Sequence, residues 1–448
     1  MSEPISAGAP SGRHRRARSL RNWFCAFWLM LLVAVTGTLA VGGQPDPRDP
    51  GTVLDGPWRF RAGDDARWAA PVTDDRSWDR IILVSKPDSR DGDVGVPGYL
   101  EGWRAHGHPD LEGYGWYRRE VTLPPQGEFV LVGPPAVDDG YEMFWNGNPI
   151  GGVGKLSGIP KVNSTRPMLA RLPASHGAHS GVLAIRVYMQ PGIDRDRLSG
   201  GLRTVPVLAP GVQGEALYRA QWRRTIAGYI VDAVEPAAML VLAVIAAFAA
   251  PVLPRRRFAR WTAFALAAAA FLRLGNAISA WTDWLSLPTL LWQNGVVLAP
   301  LAKLGWALAW NQWTDGRDRP FVSAAAVAAW MMLVAGELTQ IPLLSGSGRA
   351  VFALCLVAIL IRIVRHGNHE WLASAAMLLT ATGLFASDLS ALGVPGIWFP
   401  FGIGVSRSQY AYALALPLVA FALVALKRGA MSATEPTRAE AAPATSTS

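Results

Sequence analysis

The chain has 448 residues, 51% of them apolar or aromatic and only 17% charged, with a mean hydropathy of +0.21. Average globular chains carry about a quarter charged residues, so a large part of this one is built for lipid. Its two cysteines, Cys25 and Cys355, both stand in apolar runs, which excludes a disulfide framework and a thiolate metal site between residues 42 and 354. The net charge of +9 would admit nucleic acid as a partner, but the basic residues gather beside apolar segments, where they read as membrane topology.

Residues 1–22 are polar and basic, with Arg13, Arg15, Arg16, Arg18 and Arg21, and predict a cytoplasmic N-terminus. Residues 23–41 form an apolar run, WFCAFWLMLLVAVTGTLAV, just long enough to span a bilayer. It is either an uncleaved anchor helix or a signal peptide cut near Thr38 and Ala40, and either one exports the segment after it. Arginine outnumbers lysine 37 to 5 and alanine is abundant, the bias of a GC-rich bacterial genome, so export is to the periplasm.

A linker at 42–53, containing QPDPRDPG, opens onto residues 54–212, where short apolar runs alternate with turn signals. WRFRAG, IILV, YGWYRREVTLP, EFVLVG, YEMFWNGNPIGG and GVLAIRVYM predict the strands of an antiparallel β-sandwich. Alternation in GWYRREVTL puts Tyr117, Val121 and Leu123 on one face and Arg118, Glu120 and Thr122 on the other. Asn146-Gly147 predicts a tight hairpin that returns through Pro149 and Ile150.

The conjunction of WYR, the Asn-Gly hairpin and the late strand over residues 54 to 190 resembles the jelly-roll, galactose-binding-like domain at the N-terminus of β-galactosidase and β-glucuronidase type glycoside hydrolases. It also resembles the extracellular domain of bacterial seven-transmembrane receptors with diverse intracellular signalling modules. The resemblance implies a carbohydrate-binding module. In those hydrolases the catalytic carboxylates sit on a separate barrel of about 250 residues, for which this chain has no room, so no catalytic residue is expected. Trp103, Tyr114 and Trp116 flank a glycine-rich loop and are candidate stacking surfaces for a sugar, with Arg104, Arg118 and Asn146 to orient it. The competing reading places Trp58, Trp68, Trp78, Trp116 and Trp145 in the sandwich core. Asp138-Asp139 reads as a solvated turn before a strand, and the His106/His108 and His176/His179 pairs as loop histidines; no metal or cofactor is expected.

A connecting helix at 213–225 leads into a bundle at 226–428 with seven apolar segments: 226–249, 261–280, 289–310, 320–340, a short fifth at 350–364, 371–391 and 409–426. With the sandwich outside, the inner loops hold Arg255, Arg256, Arg257, Arg260, Arg317, Arg319, Arg362, Arg365, Lys427 and Arg428, and the outer ones only Arg349 and Arg407. This predicts a multi-pass inner-membrane protein with its C-terminus in the cytoplasm. Ionisable residues inside spans are functional candidates by default, here Asp232, Glu235, Arg273, Glu337 and Asp388. Counting along the helices lets Arg273 pair with Asp232 or Glu235, puts Glu337 and Asp388 nearer the outer surface, and leaves Lys303 to snorkel inward. No polar chain crosses the full thickness, which argues against a transporter.

The whole order of domains resembles the receptor architecture, with one departure: residues 429–448 are too few and too polar to form an output domain and are expected to be disordered. His366 and His369 read as a solvated loop rather than an enzyme site. The expected function is a sensor of a carbohydrate or envelope ligand that signals to a separate signalling protein. The alternative is a non-signalling accessory or scaffold subunit of an envelope polysaccharide system, with an envelope-biogenesis partner. The lipid bilayer is a partner in both, and nucleic acid in neither.

Overall fold

The computed structural model describes residues 51–91, 95–124, 127–163, 166–172, 180–192, 197–313, 319–365, 371–394, 396–398 and 405–432. The expectations for 1–22, 23–41 and most of the 42–53 linker, for His176, His179, His366 and His369, and for the tail from 433 onward lie outside the described residues.

The first part is an antiparallel β-sheet domain. Its strands are β1 (Thr52–Val53), β2 (Gly56–Ala62), β3 (Asp79–Leu83), β4 (Gly113–Thr122), β5 (Phe129–Val132), β6 (Val137–Asp138), β7 (Gly140–Trp145), β8 (Asn148–Val153), β9 (Leu169–Arg171), β10 (Ser180–Met189), β11 (Gly201–Leu202) and β12 (Val207–Pro210). Six strands pair in the order β3-β2-β4-β10-β7-β8 and four in the order β1-β12-β5-β9, while β6 and β11 form a small third ribbon. The alternation read from the sequence decides which face is buried. Tyr117 and Val121 of β4, Leu183, Ile185 and Val187 of β10, and Tyr141 and Met143 of β7 meet Leu131, Ala170 and Leu208 of the smaller sheet in one shared core. Each buried aliphatic side chain there contributes about 1.5–3 kcal/mol. Asn146 and Gly147 take φ of 50° and 83°, the left-handed pair that a two-residue hairpin demands. The return strand carries a register shift opposite Met143 and Phe144.

The second part is helical. It contains α1 (Gly211–Gly228), α2 (Val231–Ala249), α3 (Arg256–Trp281), α4 (Leu287–Trp292), a π segment (Gln293–Leu298), α5 (Ala299–Asn311), α6 (Pro320–Thr339), α7 (Pro342–Arg365), α8 (Trp371–Leu384), α9 (Ala386–Ala391) and α10 (Arg407–Ser432). The ribbon β13 (Ile397–Trp398) with β14 (Val405–Ser406) precedes α10. Five stretches are long and apolar enough to cross a membrane: Gly211–Val252, Arg256–Trp281, Pro320–Thr339, Pro342–Arg365 and Arg407–Lys427. The chain is a multi-pass membrane protein.

This corrects the expected seven-helix bundle. With 287–311 and 371–391 each counted as one interrupted helix, eight helices come after the sheets among the described residues, because α1 runs almost directly into α2. The small irregularity at Tyr229 and Ile230 precedes Pro236, which has no N–H for the Asp232 carbonyl. The fifth apolar segment is not short: Pro342 starts α7 as a first-turn proline, and Gln340, at φ 55°, turns the chain from α6 in two residues. Arg349 and Arg407 therefore lie on helices and not in outer loops. Likewise α10 continues to Ser432, past the expected end at 428.

Around α5 the bundle is closed by aromatics. Trp306 and Trp310 are fully buried, and their indole N–H groups donate to the Tyr412 hydroxyl and to Thr380 Oγ1, each at 3.1 Å. An unpaired indole donor in this setting would be costly, so the two bonds fix how α5 meets α8 and α10.

Candidate functional site

The outer face of the six-stranded sheet, away from the shared core, carries the polar chemistry of the β domain. The register puts Arg186 of β10 opposite Trp116 of β4 on one side and Glu142 of β7 on the other. Arg186 donates through Nε and one terminal nitrogen to Asp64 at 2.8 and 2.5 Å, and through the other nitrogen to Glu142 at 3.0 Å. Burial opposes its charge, but the hydrogen bonds to the two carboxylates outweigh that and hold its pKa above the usual arginine value. Its side chain is 14% exposed, so this is a half-sheltered group with partly exposed carboxylates on both flanks. The Tyr114 ring lies 4.6 Å from the guanidinium and 4.7 Å from the Tyr188 ring. Burial raises both tyrosine pKa values. Carboxylate acceptors, a guanidinium and aromatic faces on one surface suit a hydroxyl-rich ligand.

The six residues singled out from sequence do not converge on one surface. Trp103 is fully buried in the shared core, with its N–H donating to the Leu111 carbonyl at 3.2 Å, and Arg104 pairs with Glu112 at 3.2 Å. Asn146 ties its turn to β10, its Oδ1 accepting from the Val182 N–H at 2.8 Å and its own N–H donating to the Val182 carbonyl at 2.9 Å. Trp116 is buried under Trp68 and Phe144 and donates to Asp64 Oδ1 at 3.1 Å. Arg118, 1% exposed, pairs with Asp75 at 3.1 Å and donates to the Trp68 and Ala70 carbonyls, so it pins the 64–78 loop to the sheet. Tyr114, Trp116 and Arg118 are thus neighbours on β4, but only Tyr114 reaches the half-exposed surface beside Arg186. Arg186 itself was missed, although the alternation in GVLAIRVYM places it on the face of Tyr188. Asp138 and Asp139 are no solvated turn: Asp138 accepts from Gly200 N–H at 2.6 Å and from Arg203 at 3.2 Å, and Asp139 from Gln190 N–H at 2.7 Å. They tie β6 and β7 to neighbouring loops.

The outer-face cluster abuts the helices. The Tyr114 hydroxyl donates to the Leu156 carbonyl at 2.9 Å, and Leu156, Val162 and Tyr188 form a small core with Leu287 of α4. The Leu287 N–H donates to the Val162 carbonyl at 2.8 Å. Asp283, in the turn after α3, accepts from Asn163 Nδ2 at 2.8 Å and pairs with Arg166. The β domain is therefore attached twice, through this contact and through α1, whose Leu217 packs on Val132 and Val207 and whose Gly211 N–H donates to Glu128 O at 3.0 Å.

Of the five intramembrane residues, three come together. Asp232 accepts from Asn276 at 3.1 Å and from Gln409 at 2.9 Å, while Arg273 donates to Ser406 Oγ at 3.3 Å. Glu235, only 6% exposed, lies in electrostatic reach of Arg273 and Asp232, with no hydrogen bond to either oxygen among the described residues. Arg273 thus makes no ion pair with Asp232 or Glu235 among the described residues; Ser406 of β14 takes the guanidinium, and Asn276 of α3 with Gln409 of α10 serve Asp232. Asp388 pairs with Arg349 at 3.3 Å, and Glu337 lies beside Gly295 of the π segment. Lys303 does not snorkel: it donates to the Leu384 carbonyl, in reach of Asp388, Arg349 and Glu337.

No family model matches this chain, and no curated protein does. Part of it is similar to solved glycosidases: a Bacteroides uniformis β-glucuronidase at 20% identity, with 35% of this chain and 17% of that one covered and a TM-score of 0.26. A Faecalibacterium prausnitzii β-glucuronidase matches at 16% identity, with 37% and 33% covered and a TM-score of 0.26, and a Bacteroides vulgatus β-glycosidase at 18%, with 35% and 20% covered and a TM-score of 0.25. The chain spans less than a fifth of the first such relatives, 17% of their length.

Proposed function

We propose that this protein is a membrane sensor. Its β domain, as a jelly-roll of the galactose-binding kind, takes a carbohydrate or cell-envelope ligand, and the helices pass the event to a separate signalling protein. The observation that carries this reading is the double attachment of the β domain, through α1 and through Asp283, with the Arg186 cluster one hydrogen bond from the second contact at Tyr114 and Leu156. A ligand acts only by favouring one of two arrangements, and a domain fixed at two points can convert a small shift at its surface into a shift between helices.

In this reading the protein lies in a bacterial inner membrane with the β domain in the periplasm and the C-terminus in the cytoplasm. Arg256, Arg257 and Arg260 stand at one end of α3 and Asp283 lies just past its other end, about 39 Å away. Arg362 donates to the Asn311 carbonyl at 2.6 Å and Arg255 lies 4.9 Å from the Trp313 ring, so further basic residues collect at the end away from the β domain. That asymmetry supports a cytoplasmic assignment for the basic end.

The test is thermal unfolding of the full-length protein in detergent against a panel of glycans and envelope fragments, with hydrogen exchange monitored over 211–228 and 282–287. A ligand is expected to raise the midpoint and change exchange at both attachments. A flat response across a broad panel would remove the binding reading. Binding with no change at either attachment would favour the accessory role. Crosslinking from 256–260 separates the two further, since a kinase or cyclase supports sensing and a glycosyltransferase or polymer exporter does not.

A further inference from the structure

Topology by the positive-inside rule leaves one group of arginines unexplained. Arg219, Arg223 and Arg224 lie on α1, at the β-domain end of the helices, where few basic residues are expected. Leu217, Ala220, Gln221 and Thr225 of this helix are buried. On its other side Val212, Ala216, Arg219, Arg223 and Ile226 recur at spacings of three and four and are exposed or, for Arg223, half-exposed. The same stripe continues along α2 through Ala237, Val241, Val244 and Phe248, all exposed. An exposed apolar stripe on a membrane-crossing helix faces hydrocarbon. From Ile226 to Phe248 it measures about 33 Å, close to a bilayer core of about 30 Å. Arg223 then stands about 4.5 Å and Arg219 about 10 Å outside the hydrocarbon boundary, at headgroup level and on the lipid-facing side.

Two further observations give the patch its chemistry. Glu215, the acid of this helix, is shared by Arg219 at 3.2 Å and Arg171 at 3.5 Å, so the surface keeps a positive surplus. Tyr218 and Trp222 pack edge to face at 6.5 Å on the same turns, amphipathic rings of the type that settle at membrane interfaces. We propose that Arg219 and Arg223 bind the phosphate of an anionic phospholipid in the leaflet on the β-domain side. The bound headgroup would hold the outer half of the rod against the bilayer surface. This holds whichever compartment that side faces, and whether or not the β domain binds a sugar.

The experiment uses the full-length protein in vesicles of phosphatidylcholine containing a photoactivatable phosphatidylglycerol analogue, with the crosslinked peptide mapped. Crosslinks within 212–229 are expected, suppressed by unlabelled phosphatidylglycerol and not by equal inorganic phosphate. The R219Q/R223Q variant should lose them about tenfold or more, as two guanidiniums near an anionic surface imply. R256Q/R257Q, at the opposite end, should keep them. Crosslinks absent from 212–229, equal in the R219Q/R223Q variant, or removed by inorganic phosphate would each overturn the proposal. If R219Q/R223Q does not fold, the wild-type crosslink map and its competition by the two phosphates decide the matter alone.

Discussion

The ammonium of Lys303 lies 2.8 Å from the main-chain carbonyl of Leu384, where α8 breaks before α9. A break in a helix frees carbonyls that lack an in-helix donor, and a cation at a helix C-terminus is a strong partner for them. The Phe385 ring, 5.3 Å from the same nitrogen, adds a smaller cation–π contribution.

Replacing Lys303 by Met keeps the length of the side chain and removes the donor. Thermal unfolding in detergent should show a loss of about 2 kcal/mol, the cost of a charged hydrogen bond and an orphaned carbonyl. Lys303→Arg should recover part of it. No change for Lys303→Met would show that the break is satisfied some other way.

Arg118 and Asp75 are unequal partners. The guanidinium is buried and also serves two carbonyls, whereas the carboxylate is 28% exposed. Arg118→Met should destabilise the β domain by about 3 kcal/mol and expose the 64–78 loop to protease. Asp75→Asn should cost about 1 kcal/mol or less, because water replaces part of what the carboxylate loses. Arg118→Lys should fall near Arg118→Met, since a single ammonium cannot span the same fork of acceptors.

Two buried tyrosines should behave oppositely. Among the described residues the Tyr141 hydroxyl has no hydrogen-bond partner, whereas Tyr117 meets the main chain of Leu202. Tyr141→Phe should be neutral or stabilising by about 1 kcal/mol, and Tyr117→Phe destabilising by a similar amount. Burial raises the pKa of both phenols. A raised folded-state pKa gives stability that is complete below the unfolded value of 10.0 and is lost as pH climbs through the folded one. Phenolate absorbance from these two should therefore appear only with unfolding above pH 10, and phenolate signal from a folded domain near that pH would contradict their burial.

Asp283 is 74% exposed, so its contact with Arg166 is screened by salt and adds little to global stability. Asp283→Ala should shift the unfolding midpoint by less than about 1 kcal/mol while speeding amide exchange over 154–163 and 282–287. Raising the salt on the wild type should imitate it. Unchanged exchange would mean that Leu287 and Val162 hold the contact without help.

The strands with several alternating residues, and the Asn-Gly turn between two of them, were legible because side-chain direction is fixed by a period of two. β6, β9 and β11 were not, since two or three residues carry no period. In the membrane part the apolar runs gave the positions of the helices, but Leu-Leu-Ser-Gly-Ser-Gly after Pro342 read as a loop and is helix, because tertiary packing of Ser345 against Gly336 favours small residues there. Counting depth from helix ends misplaced Lys303, because the chain breaks at Phe385 and the count assumes straight rods. The ligand candidates scattered for a different reason: a Trp or Arg beside a glycine has the same sequence signature whether it faces solvent or is covered by a distant loop, as Trp116 is by Trp68.

Strand β12 ends at Pro210 and α1 begins at the next residue. No slack separates sheet from helix, so the sheet cannot tilt without carrying the axis of α1 with it. The 42 residues of Gly211–Val252, interrupted at Tyr229 and Ile230, then span about 63 Å. To the extent that this junction stays stiff, a tilt of a few degrees at the sheet becomes several ångströms of travel at the Val252 end, beside Arg255 and Arg256.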